Sequence, residues 1–587
     1  MPTIMSGNSV PSENRTTGDH ERVDRAEETA FVDSADLFVE KDITKETAVK
    51  QKRVWVRLTR LCNQRCTFCL DSWNQNGTMV KASELQAFIR RGYEQGGERL
   101  ILSGGEATVH PDFLKLCRYG KELGYRWVQT VTNGQMFAYP DFARKAKLSG
   151  LDEATFSMHG HDAKLHDRLV GLPGAFDRAN QGIRNLQALG GVVVNIDIVI
   201  NRMNVAHIRD IIDFYMNMGI REFDLLYIVP FGRGFEEYRE QLFFNLDDSF
   251  EHLQRAFEVS AQPGVYLWTN RFPVSYLEGY EHLIQEPHKL HSEVNGGRHN
   301  FDGYLKTGTP PDCYGERCNH CFLNGLCKTT MFRYRTLFLE GTFRRIRIDA
   351  DRPADWDRAA PRLVNQTPNV VHIEAKTAKA AQQLVSRLPY DDKPLWVAEL
   401  PVEEVVTLAR EPGRFRGLRL KGQRAIEGLL AGVGAEFDRI EVVLNQDVAN
   451  KLLLPETNTS LEPELKKKLV LVLPNHPYLS ESRANDPGVE QLRDLVTAQY
   501  RLANVPRCIG GDNATAGDFD EITPQMVGAD LHLDTDLYVD RYIEGEYYSK
   551  SLRCKDCVVF HECRGLHINY LRNVGLGALK PLFKANN

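Results

Sequence analysis

The sequence predicts an α/β fold in two halves, each a run of strands alternating with helices and each ending in a cysteine-rich segment. Three observations carry this expectation. Short apolar, β-rich runs recur between stretches of helical period from Arg53 to about residue 235. The same alternation returns over residues 344–500. Eleven of the 12 cysteines fall into three groups, at 62–69, 313–327 and 508–563. A chain of 587 residues has room for two or three domains with their own cores, and 42% hydrophobic with 26% charged residues is an ordinary globular balance.

Taken in order, residues 1–50 are polar and charged with few aromatics, and read as a mobile tail. They lack the basic start and apolar stretch of a signal peptide, and no run approaches the roughly 18 apolar residues of a membrane span. The cytoplasm is the expected compartment, where structural disulfides are rare. A net charge of −6 gives no reason to expect a nucleic-acid or membrane partner. Neither a phosphate loop nor a dinucleotide fingerprint is present.

Over residues 51–235 the strand runs are Val54–Thr59, Arg99–Ser103, Trp127–Thr132, Glu153–Met158, Val193–Ile200 and Phe223–Val229. Helical stretches are centred near 112–123, 140–149, 174–189 and 204–218, and another opens at Ser83-Glu-Leu-Gln86, which reads as a capping box. Six strands alternating with helices imply a parallel sheet, open or curled into a barrel, whose chemistry lies beyond the strands' C-terminal ends. The notable residues fall there: Cys62, Cys66 and Cys69 after the first strand and Gly104-Gly105-Glu106 after the second. Asn133-Gly134, His159-Gly160 and Pro230-Phe-Gly-Arg-Gly follow the third, fourth and sixth.

Residues 236–343 form a first irregular, cysteine-rich module, 344–500 a second α/β region with strands at Val370–Ile373, Leu395–Ala398, Gly417–Leu420, Ile440–Leu444 and Leu469–Leu473, and 501–587 a second cysteine-rich module. The runs Cys318-Asn-His-Cys-Phe-Leu-Asn-Gly-Leu-Cys and Cys554-Lys-Asp-Cys-Val-Val-Phe-His-Glu-Cys share the spacing Cys-x2-Cys-x5-Cys. They suggest a degenerate internal repeat whose second half has lost the first cysteine group. Charge runs such as Arg344-Arg345-Ile-Arg347 and Lys466-Lys467-Lys468 read as solvated surface, and Cys117, on a helical apolar face, as a buried structural thiol.

Three thiols within eight residues favour an iron–sulfur cluster or zinc. A closed zinc site wants a fourth ligand, and no Cys or His follows at Leu70, Asp71, Ser72 or Trp73; the alternative is a zinc loop borrowing a distant ligand. Cys313, Cys318, Cys321 and Cys327 supply four thiolates within fifteen residues. Cys508, Cys554, Cys557 and Cys563 supply four more, and neither group has the paired knuckles of a zinc ribbon. His320 and His561 lie inside these motifs as substitute ligands.

Cys62-x3-Cys66-x2-Cys69, with the aromatic Phe68 before the last cysteine and the whole placed after the first strand, resembles the signature of radical S-adenosylmethionine enzymes. The resemblance covers roughly residues 53–235 and implies a partial (β/α)6 barrel. It implies a [4Fe–4S] cluster on the three thiolates and S-adenosylmethionine chelated to the open iron. Reductive cleavage would then give a 5′-deoxyadenosyl radical that abstracts a substrate hydrogen. It also implies cofactor contacts from Gly104, Gly105 and Glu106, whose carboxylate suits the methionine ammonium, and from Asn133, Ser157 and Phe68. His159 stays open between a site residue and a hydrogen-bonded packing histidine. The later cysteine groups resemble the SPASM and twitch extensions that carry auxiliary [4Fe–4S] clusters, although here about 180 residues separate two groups of four. Zinc is the alternative for each. The resemblance further implies an electron donor such as flavodoxin or ferredoxin, and a ribosomally made peptide as substrate. A small-molecule substrate is the alternative, or a non-catalytic iron–sulfur or zinc scaffold. No catalytic residue is assigned.

Overall fold

In a computed structural model, residues 51–583 are described apart from 296, 341–343, 423, 516 and 518–520; the predicted tail at 1–50 lies outside them. Seven strands form the first sheet in sequence order, all parallel: β1 (Arg53–Thr59), β2 (Arg99–Gly104), β3 (Trp127–Thr132), β4 (Glu153–Ser157), β5 (Val193–Ile200), β6 (Glu222–Tyr227) and β7 (Tyr266–Asn270). The sheet curls into a half-barrel. Six strands stand within two residues of their expected bounds. The seventh, Tyr-Leu-Trp-Thr-Asn, falls in the stretch the sequence reads as irregular.

Why the sheet curves as it does is visible in β1, where Val54, Val56 and Leu58 are buried while Arg53, Trp55 and Arg57 are exposed. Period-two alternation sends the first set against the helices and the second into the concave face. Behind β1 and β2 lie α1 (Ala82–Glu94), burying Leu85 and Ile89, and α2 (Phe113–Leu123), burying Phe113, Leu116 and Cys117. Cys117 is fully buried, as expected of a structural thiol. Each such fully buried Leu or Ile contributes roughly 1.5–3 kcal/mol. The capping box is not formed. Helix α1 begins at Ala82 with Lys81 as its cap, so Ser83 already lies inside the first turn and its side chain caps nothing.

The second sheet repeats this topology. Strands β8 (Arg345–Asp349), β9 (Val370–Glu374), β10 (Leu395–Glu399), β11 (Phe415–Leu420), β12 (Arg439–Val443), β13 (Leu469–Val472), β14 (Arg501–Ala503) and β15 (Ala514–Thr515) run parallel in sequence order, and β16 (Glu521–Ile522) joins β8 at the far edge. Strand β8 overturns the reading of Arg344-Arg345-Ile-Arg347 as solvated surface. Arg345 is only 1% exposed, because it alternates into the concave face with a carboxylate to meet it.

The third cysteine group stands beside both halves. Helix Ile568–Val574 packs on Leu479–Asn485 of the second half. Arg553 and Ser551 bond Glu278 (2.6 Å each), and Lys555 pairs with Asp247 (2.9 Å), both in the first. Among the described residues no helix is long and apolar enough to cross a membrane.

Candidate functional site

The loop after β1 is held almost wholly by backbone. Arg65 N donates to Val170 O (3.1 Å) and Thr67 N to Leu169 O (2.8 Å), docking the cysteine loop on helix α3 (Ala163–Val170). Two glycines close on it from other strand ends. A Cβ on Gly105 would stand 2.3 Å from Leu61 O; one on Gly232, at φ +61°, would stand 2.3 Å from Cys69 O. Neither position admits a side chain. Arg233, next in line, donates through its backbone N to Cys69 O (3.1 Å) and through Nη1 to Cys66 O (3.0 Å).

This packing brings Cys62, Cys66 and Cys69 together. Burial first, then the Glu106 carboxylate and Cys69, pushes the Cys62 thiol up to about 11, and burial followed by Cys62 and Cys69 raises Cys66. Burial likewise raises Cys69, against which Arg233 acts, and Gln75 Nε2 lies 3.3 Å from its Sγ. Buried thiols ionise when a cation takes the proton's place, so the donor set suits a metal centre.

The Gly-Gly-Glu motif divides in two. Gly104 and Gly105 border the loop: Gly105 N donates to Thr59 O (2.8 Å) and Glu106 N to Leu61 O (2.9 Å). The Glu106 side chain, 2% exposed, turns inward. It accepts from Thr108 N (3.1 Å), Thr108 Oγ1 (2.5 Å), Thr132 Oγ1 (2.7 Å) and Asn133 N (2.7 Å), latching the ends of β2 and β3 together. Asn133 carries the latch on to the loop by donating from Nδ2 to Asn63 Oδ1 (2.7 Å). Ser157 stands half-buried at the end of β4, and Phe68 packs edge-on against His159 with centroids 4.5 Å apart. His159 is 1% exposed and accepts from Val199 N at Nδ1 (3.2 Å), while burial drives its pKa far down.

The later groups assemble as well. In the second, burial and then the neighbouring thiols raise Cys313 and push Cys321 up to about 11; Cys327 feels Cys321, Cys313 and Cys318. In the third, Cys508 feels Cys563 and Cys557, and Cys554 feels Cys508, Cys557 and Cys563, so the outlying Cys508 joins the other three. Backbone N–H groups reach two of these sulfurs, Leu582 N to Cys557 and Gly565 N to Cys563 (3.3 Å each). His320 packs at a tilt against Phe243 (4.9 Å between centroids) and His561 edge-on against Phe560 (5.3 Å). Among the described residues, the His, Cys, Asp and Glu ligand atoms found in threes within 4.8 Å of one another are those of His161, His207 and Asp210, on the rim after β4 and β5.

Sequence reading missed the residue that joins the first two groups. Arg317, between Cys313 and Cys318, lies over Trp73 (5.1 Å) and Phe235 (5.2 Å) and bonds Glu236 (2.9 Å), which also accepts from Trp73 Nε1 (2.6 Å). A cavity of about 560 Å³ opens beside it at the mouth of the half-barrel, between Arg202, Tyr227 and Arg271 on the strand ends and Asn319–Phe322 of the second cysteine group.

Residues 56–215 match the family model described as Radical SAM superfamily. The chain is 32% identical over 188 residues to a probable GTP 3′,8-cyclase of Saccharolobus islandicus, covering 32% of this chain and 59% of that protein. It is 30% identical over 260 residues to one of Sulfurisphaera tokodaii, covering 43% and 79%. The first relatives are thus matched over 59% of their length. Among solved structures, Streptococcus suis SuiB bound to the precursor peptide SuiA matches with TM-score 0.34 and 18% identity, covering 42% of this chain and 55% of that one. Native anSMEcpe with bound AdoMet and a peptide gives TM-score 0.30 and 17% identity, covering 44% and 68%.

Proposed function

The chain belongs to the radical SAM superfamily, and from that premise we propose that it is an enzyme holding a [4Fe–4S] cluster on Cys62, Cys66 and Cys69 and two auxiliary clusters on the two groups of four. The carrying observation is the three-thiol loop fixed by Gly105 and Gly232, whose thiols, among the described residues, feel one another and no fourth. Bound there, the cluster and S-adenosylmethionine supply a 5′-deoxyadenosyl radical for hydrogen abstraction. The chain's own part is to place and shield. The Gly104–Gly105 backbone and the Glu106–Asn133 latch set the loop, Ser157 borders the lumen, and the cavity under Cys321 receives the substrate against the second cysteine group. Four-thiolate clusters have no open iron and suit electron transfer or structural roles.

A peptide is the substrate we favour, on the SPASM-like spacing of both later groups and on the cavity's aromatic rim of Tyr227, Phe243, Phe244 and Phe322. The name of the sequence relatives raises a nucleoside triphosphate as the second reading. The cavity's arginines speak against it, since Arg239 is bound to Glu316 (2.7 Å), Arg271 to Glu293 (3.0 Å) and Arg202 to Glu240 O (2.7 Å). Anaerobic reconstitution with S-adenosylmethionine and a reductant tests the reading. The expected results are 5′-deoxyadenosine and about four irons per cluster in three clusters. A metal-loaded protein that forms no 5′-deoxyadenosine would refute the enzyme.

A further inference from the structure

The concave face of the first sheet carries a set of acceptors that neither the cysteine loop nor the cavity wall uses. Ser157, Asp197 and Asp224 stand in one register row across β4, β5 and β6, and Trp268 of β7 completes it. Residues in register on adjacent parallel strands are about 4.8 Å apart and face the same way. The two carboxylates are therefore next-door neighbours in the lumen, and both residues are half-buried.

Their surroundings are short of cations. Asp224 accepts from Asn270, which in turn accepts from Lys289 of Lys289–Asn295, while the Asp197 carboxylate receives no hydrogen bond from any described residue. Nearby charges largely cancel in pairs: Arg99 with Glu153 (2.7 Å) and Arg271 with Glu293 (3.0 Å). What remains is Arg53 and Lys289 facing three carboxylates, Asp197, Asp224 and Glu222.

A second, independent feature lies one position deeper. Asn195 shares β5's lumen face with Asp197 and is 8% exposed. Its Nδ2 donates to Glu153 (2.9 Å), but its Oδ1 is buried with no partner. Among the described residues, the lumen thus holds an orphan amide oxygen and an unbonded carboxylate, with no donor turned to either.

We propose that Asp197 and Asp224, with Ser157 and Asn195, form a substrate subsite for one organic cation, an alkylammonium or guanidinium group such as a lysine or arginine side chain. This rests on the reading of the lumen as the substrate's side of the enzyme. One monocation with N–H donors balances the charge, satisfies Asn195 Oδ1 and bridges the two carboxylates. It also relieves what burial and Asp224 impose on Asp197, whose carboxyl is raised well above its ordinary value. The second sheet shows the alternative solution. Its lumen carboxylates Glu374, Glu399 and Glu441 each meet an Arg, Lys or His of the chain itself, leaving nothing for a ligand to neutralise.

Weak-affinity chromatography on the immobilised, cluster-loaded protein tests this without turnover, so its outcome is separate from that of S-adenosylmethionine cleavage. The probes are N-acetyl-lysine and N-acetyl-arginine N-methylamides, with the norleucine analogue as uncharged control. The cations should be retarded and norleucine not. Asp197→Asn or Asp224→Asn should cut cation retention about tenfold, and Lys289→Gln should increase it, with near-native circular dichroism in each. If instead the two carboxyls simply share a proton, the cations will run with norleucine, or both Asn variants will retain them as the wild type does. Either result overturns the subsite.

Discussion

The two parallel sheets share an order of strands and a polar concave face, yet they treat that face in opposite ways. In the second, Arg345 and Glu441 meet at 2.8 Å with each 1% exposed, and Arg419 reaches the other oxygen of Glu441 at 2.8 Å. His372 lies 3.0 Å from Glu399. Charge is closed strand to strand, and no cysteine loop follows β8, the first strand of that sheet. In the first, Asp197, Asp224 and Glu222 outnumber the cations facing them, and the mouth carries the cysteine loop and a cavity. A lumen whose carboxylates are paired with the chain's own cations is a scaffold, whereas one with carboxylates in excess is arranged for something that arrives.

The largest expected effect separates the strand ends. Replacing Cys62, Cys66 and Cys69 by alanine should abolish detectable 5′-deoxyadenosine formation. Asp351→Ala, at the corresponding first strand end of the second sheet, should leave the rate within about twofold. Next in size is the ion network. Arg345→Ala leaves buried Glu441 to Arg419 and Arg439 alone and should cost about 1–3 kcal/mol in urea unfolding. Asp197→Asn, which removes an unmatched charge from the first lumen, should shift stability by less than about 1 kcal/mol or raise it.

The same contrast sets opposite pH responses. Burial alone would raise the Glu441 carboxyl, but Arg345, Arg419 and Arg439 outweigh it and hold the pKa at about 2. A depressed folded pKa stabilises above the unfolded value near 4.5, and that contribution, about 3 kcal/mol, drains away as pH falls toward 2. Glu222 is pushed the other way, to about 7, by burial and then Glu153. Its folded form binds the extra proton, so the first sheet should lose stability as pH rises from about 4.5 to 7. Hydrogen exchange resolved by sheet, corrected for intrinsic rates, should show the second half loosening in acid and the first half loosening toward neutrality. The smallest effect is at the seam. Arg317→Ala, which loses its stacking on Trp73 and its bond to Glu236, should cost about 1 kcal/mol.

The sequence made the strands and cysteine groups legible because period and spacing are local. Val54-Trp-Val-Arg-Leu alternates by itself, and Cys62-x3-Cys66-x2-Cys69 needs no partner to be recognised. What stayed hidden depends on register between distant strands. Arg345 looks like surface until Glu441, 96 residues away, stands opposite it. Strands β7 and β8 escaped because aromatic and charged residues on their concave positions break the apolar run that marks a strand. Glu106 carries a motif's name, yet its carboxylate serves its own chain, a choice made by Thr132 and Asn133 on a different strand. Arg317 gave no signal, since its partners Trp73 and Glu236 come from two other loops.

The central claim is that the thiol loop at the mouth of the first sheet, and not either group of four, is where S-adenosylmethionine binds. Electron paramagnetic resonance of the reduced, iron-loaded protein, recorded with and without S-adenosylmethionine, tests it most directly. One cluster signal should change on addition of S-adenosylmethionine and vanish in the Cys62/Cys66/Cys69→Ala variant, while the remaining signals persist unaltered. A spectrum indifferent to S-adenosylmethionine, or a responsive signal that survives in that variant, would contradict the account.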